Sequence, residues 1–172
     1  MMSVKNTQPV LLQRVVEAGG QEVWIDIWST SGKETIARAD DTFRHIDSNF
    51  WKWGLDVPGR PTPSVKGALY DLVAPATLRQ AFTWFGRPFR GISPTQHQII
   101  ECVKRNQDLL FGDEVYGAFF LCRHGYEFGN FFPVYVSREL RATIYPSISP
   151  LGTSADGRVW RIEHPRRVVV LE

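Results

Sequence analysis

Two hydrophobic periodicities divide this chain, and their order constrains its fold more than any single motif does. Near the N-terminus, Val23, Ile25 and Ile27 alternate with Trp24, Asp26 and Trp28, the period-two pattern of a strand with one buried face. The middle of the chain carries helical stripes instead: Leu78, Ala81, Phe82 and Phe85, then Ile99, Ile100, Val103, Gln107 and Leu110. Beyond Gly112 the pattern returns to strands, with the aromatic-rich segments Val115 to Cys122 and Phe131 to Val136. Val168-Val169-Val170-Leu171 does not alternate, which suits a strand buried on both faces. Strands at both ends with helices between them do not make the alternating βαβα order of a doubly wound fold. The expected architecture is α+β: an antiparallel or mixed sheet built from N- and C-terminal strands, with three or four central helices packed on one side.

Local signals place the elements. Val10 to Val16 and Glu22 to Trp28 flank Gly19-Gly20 and predict an N-terminal hairpin. Asp40 or Asp41 caps a short helix in which Phe43, Ile46 and Phe50 form a stripe ending near Gly54. Residues 56–63 hold three prolines and a glycine and read as a stiff loop. Ser64 then caps a helix running to about Val73, and Pro75 opens the next one. Ser93-Pro94-Thr95-Gln96 has the form of a capping box that starts the last central helix. A short strand at Arg141 to Tyr145, a Pro-, Ser- and Gly-rich loop, and a hairpin of Arg158 to Glu163 with Arg167 to Leu171 complete the chain.

Composition narrows the class. The 172 residues suit one domain spanning 1–172. With 43% apolar residues and a net charge of only +2, the chain is neither intrinsically disordered nor a polybasic nucleic-acid coat. Its longest apolar runs span about six residues, far short of a bilayer span, so no membrane is expected. Two cysteines, Cys102 and Cys122, allow one bridge at most and cannot form an all-cysteine zinc site. The N-terminus lacks the apolar stretch of a signal peptide, and a cytoplasmic location is the expectation.

Motifs for cofactor chemistry fall short. Gly86 to Ser93 has the spacing of a phosphate loop, but Ile92 occupies the lysine position and Pro88 removes an amide. Gly152-Thr153-Ser154 carries one residue too many before its next glycine for a nucleophile elbow. His45, His97, His124 and His164 show no metal-ligand spacing, so no cofactor or metal is expected.

Two functional readings remain. Trp84, Arg87, Phe89 and Arg90 interleave rings with guanidinium groups, and Lys104 and Arg105 follow in the only basic block, residues 73–112, which has five Lys/Arg against two Asp/Glu. Such a surface suits a non-catalytic binding module that engages another macromolecule, protein or nucleic acid, with a second copy of the chain open as a partner. The alternative is a small metal-independent hydrolase or nuclease. In it, His124 serves as general acid or base, Glu127 orients it, and Arg123 stabilises an oxyanion or phosphate. The competing account of that segment is a polar hairpin loop whose Tyr126 and Phe128 fold back on the sheet.

Overall fold

The computed structural model describes residues 9–112, 114–125, 130–149 and 166–172. Among them the fold is α+β, with one mixed sheet of eight strands and five α-helices. The strands are β1 (Leu12–Arg14), β2 (Trp24–Ile27), β3 (His45–Ile46), β4 (Val65–Leu72), β5 (Gly117–His124), β6 (Asn130–Ser137), β7 (Arg141–Ile144) and β8 (Arg166–Leu171). The helices are α1 (Asn49–Lys52), α2 (Leu78–Thr83), α3 (Phe89–Ile92), α4 (Gln96–Arg105) and α5 (Gln107–Leu110). The sheet runs β1-β4-β8-β5-β6-β7-β3, with β2 joined to β4 as well. β5–β8 and β7–β3 are its parallel pairs, and the others are antiparallel. No helix among the described residues is long and apolar enough to cross a membrane.

Apolar residues occupy both parities of the central strands, so both faces of the sheet must be covered. Ala118, Phe120 and Cys122 of β5 enter one core cluster with Ile99, Ile100 and Val103 of α4. Phe119 and Leu121, one residue out of phase, enter a second cluster with Leu78 and Phe82 of α2 and Phe89 and Ile92 of α3. The helices therefore flank both faces, not the single side expected from their contiguity in sequence. Both cysteines are free and fully buried in the first cluster, and burial pushes each thiol up to about 12.

Four local expectations change. β4 replaces the helix expected after Ser64. Leu69 faces one cluster while Ala68, Tyr70 and Leu72 face the other, because β4 lies between β8 and the β1/β2 edge. The hydroxyl of Ser64 accepts from Ser29 N at 3.0 Å instead of capping a helix. β1 and β2 do not zip together as a hairpin. Both pair with β4, Leu12 opposite Leu72 and Ile27 opposite Val65, and they share only the bridge Val16–Glu22. Phe43, Ile46 and Phe50 all meet the core, but from a loop, β3 and α1 in turn, not from one helix. Finally, α4 begins two residues late. Thr95 is its N-cap, with Gln98 Oε1 accepting from Thr95 N at 2.9 Å, and Ser93 is buried before it. The overlapping Ser93 and Thr95 frames are resolved by tertiary contacts. Gln96, the expected box partner, instead accepts from Ile36 N at 3.1 Å and donates to Val57 O at 3.0 Å.

Candidate anion-binding site

Four segments meet at the C-terminal end of β5. Pro94 O accepts from Arg123 N at 2.8 Å, and Thr95 bridges Arg123 in parallel, so the start of α4 is tied to the end of β5. Gln96 then holds the proline-rich loop through Val57. That loop is fastened from behind: Gly59 N donates to Gly32 O at 2.8 Å, and Thr30 and Thr62 exchange backbone hydrogen bonds of 2.9 and 3.0 Å. Between these segments and α3 lies a cavity of about 410 Å³. Its chemistry comes from Arg60 of the loop, Arg90 of α3, Thr95 and His97 at the start of α4, and Arg123 and His124 of β5. No carboxylate is among the described residues that line it.

Three arginines and the N-terminal end of a ten-residue helix line the same volume. Burial, and then the neighbouring Arg90, hold the Arg123 guanidinium below the ordinary arginine range. His97 is 2% exposed, and the polar group described against its ring is the Arg60 backbone. Gly59 lies over its ring: a Cβ there would sit 3.1 Å from His97 Cε1. Burial is the largest influence on His97 and lowers its pKa. Arg123 adds to that, while Glu34 and the Arg60 backbone oppose it. Burial also lowers His124, against the opposing charge of Asp56.

These shifts carry a sign for stability. A histidine whose folded pKa is depressed binds fewer protons in the folded than in the unfolded state below about pH 6.5. Its contribution is present above that value and lost as pH falls toward the folded pKa. Denaturant midpoints are therefore expected to drop on acidification below about pH 6.5. His97→Gln is expected to flatten that dependence. A slope unchanged by this substitution would remove His97 from the account.

The residues singled out in sequence are distributed as follows. Arg123 and His124 stand side by side on the cavity wall, at the end of a strand that runs further than expected. Glu127, Tyr126 and Phe128 lie outside the described residues, as does the Arg158–Glu163 segment. Arg90 joins Arg123 at the cavity. Phe89 does not face solvent: it is 3% exposed and packs edge-on against Phe131 at 5.6 Å. Trp84 is half-buried, edge-on to Tyr70 and Phe85. Arg87 bonds to Leu171 O, Gly91 O and the Glu172 carboxylate. Lys104 bridges Glu34 and Asp41, and Arg105 pairs with Glu101 and lies over Trp28. Arg60 and His97 are the cavity residues sequence reasoning missed. Their available signals were an arginine inside a rigid Pro-Gly-Arg-Pro loop and a histidine in the first turn of a capped helix.

Fold and cavity together define an α+β protein with an arginine- and histidine-lined cavity at a strand end. Comparison with known proteins finds no matching family model, no matching curated protein and no matching solved structure.

Proposed function

We propose that this chain is a nucleic-acid-binding protein that receives a phosphate group of a single strand in the cavity at the end of β5. The observation that carries this reading is the convergence of Arg60, Arg90, Arg123 and the α4 N-terminus on one volume whose described lining holds no carboxylate. Guanidinium groups match phosphate oxygens bidentately, and a helix N-terminus adds partial positive charge. The volume falls at the lower end of the range for ligand pockets. The modest net charge of +2 fits local recognition better than a broad electrostatic footprint along duplex DNA. The hydrolase reading shares Arg123 and His124 with this cavity. Its third member, Glu127, lies outside the described residues.

The test is titration with a short single-stranded DNA oligonucleotide across a salt series. Binding is expected to weaken as salt rises. Arg123→Ala is expected to weaken it by roughly 10–100-fold at low salt, the worth of one hydrogen-bonded charge on phosphate. Absence of binding, or affinity indifferent to salt, would overturn the reading.

A further inference from the structure

We infer that β2 is the edge through which two copies of this chain pair, their sheets joining antiparallel about Ile25 into a symmetric dimer. The inference is independent of the nucleic-acid reading above.

Backbone direction leaves β2 open on one side. The N–H and C=O of a residue in an antiparallel strand point to one neighbour, and successive residues alternate. On β4, Leu69 O accepts from Val15 N beside β1, whereas Lys66 O accepts from Glu172 N beyond β8. Residues 65, 67 and 69 therefore turn toward β1 and β2. Gly67 lies opposite Ile25 and Val65 opposite Ile27, so these two isoleucines direct their main-chain groups at β4. Trp24 and Asp26 direct theirs outward. Among the described residues β2 pairs with β4 alone, and no described backbone group meets that outward side. Residues 23–28 hold neither proline nor glycine, so the edge is a template for another strand. The far end of the sheet offers less, because β3 is two residues long.

Self-complementarity fixes the occupant. An antiparallel second copy has three registers that use the outward groups of Trp24 and Asp26. Setting Asp26 opposite its own counterpart opposes two carboxylates. Setting Trp24 opposite its own counterpart opposes Glu22 and Asp26. Setting Trp24 opposite Asp26 of the second copy avoids both conflicts. That register places Ile25 on the two-fold axis and Val23 opposite Ile27, and so continues the apolar face that these residues present to the core. Asp26 brings its own counter-ion, Lys66 at 3.2 Å, so its charge does not close the edge.

The flanking side chains match in the same register. Trp24 and Trp28 are 42% and 54% exposed on the face opposite the isoleucines. Glu22 falls opposite Trp28 of the second copy, and Arg105 lies over the Trp28 ring at 4.5 Å. A carboxylate is thus brought toward a guanidinium at both ends of the pairing, by symmetry. Within one copy Glu22 is 3.9 Å from Arg14, and Arg105 pairs with Glu101, so the added contacts extend existing ion pairs.

The experiment is sedimentation equilibrium of the full chain across a concentration series. The mass is expected to rise from 19.7 kDa toward twice that value. Trp24→Asp opposes like charges at two places and is expected to weaken the dimer by about 10-fold or more, whereas Trp24→Lys opposes unlike charges there and is expected to weaken it less. Trp24→Cys combined with Asp26→Cys keeps the test open should either charged variant fail to fold. Opposite residues of a hydrogen-bonded pair lie about 5.5 Å apart, within disulfide reach, so glutathione disulfide is expected to yield a covalent dimer. Each cysteine alone stands two residues out of register with its own counterpart and is expected to cross-link far less. Cys102 and Cys122 are buried and do not compete. A chain that stays monomeric at high micromolar concentration overturns the inference and leaves the nucleic-acid reading untouched. A dimer that Trp24→Asp and Trp24→Lys weaken alike overturns it too, as does one that either single cysteine cross-links as readily as the pair.

Discussion

Replacing Phe120 by alanine is expected to destabilise the protein by about 3–5 kcal/mol. Phe120 sits mid-strand in β5, flanked by Val169 of β8 and Val134 of β6, and it is fully buried. It belongs to the cluster that holds Ile99 and Val103 of α4 against the sheet. Truncation removes the ring's transfer free energy and leaves a cavity where strands on both sides prevent collapse. Set against the 5–15 kcal/mol typical of a folded domain, that loss is a large share of the total. Denaturant unfolding is the measurement: the midpoint falls while the slope stays constant. A loss under about 1 kcal/mol would contradict the packing described for β5. The variant also bears on the site, because Arg123 and His124 lie at the end of the same strand.

Gly32→Ala is expected to cost about 2–5 kcal/mol and to weaken strand binding at the same time. Gly32 has φ +76°, a region that L side chains rarely adopt. A Cβ there would lie 2.4 Å from both Arg60 C and Arg60 O and 2.8 Å from Gly59 O. All three are backbone atoms, so no side-chain rotation relieves the overlap. The loop must move, and Arg60 moves with it away from the cavity. Gly20 is the control. It has φ +80° with nothing within 4 Å of the added Cβ, so Gly20→Ala carries the backbone strain alone. Gly32→Ala is expected to exceed it by about 1–3 kcal/mol and to be the only one of the two that reduces affinity. Equal losses, with affinity unchanged in both, would show that the 29–33 loop does not support the cavity wall.

Much of the sheet was legible because its signals are local. The run Val168 to Leu171 and the aromatic segments either side of residue 125 are too apolar for solvent and too short for helices, so burial within a sheet was the reading available to them. The helical stripe around Phe82 and the one around Ile99 survived in part, as α2 without Phe85 and as α4 with Gln107 and Leu110 set apart in α5. β4 was misread because a strand covered on both faces loses the alternation that marks a strand. Ser93 and Thr95 offered equivalent capping frames, and nothing nearby in sequence reveals that Gln96 is engaged by Ile36 and Val57.

The site divides along the same line. Arg123 and His124 stood out as a polar pair following an apolar strand, which is a local contrast. Arg60 and His97 did not, because their meaning depends on chain segments that come together only in the folded molecule: Gly32 behind Arg60, Gly59 over His97, Pro94 against Arg123. Side-chain chemistry and hydrophobic period, which are properties of a few neighbouring residues, decided by themselves that Val168 to Leu171 and the segments either side of residue 125 are strands, that Phe82 and Ile99 lie in helices and that a sheet must bury them. Which face each helix covers, and which cations share a cavity, were decided by tertiary contacts. Those choices are set by packing and hydrogen bonding between residues tens of positions apart, and no local pattern encodes them.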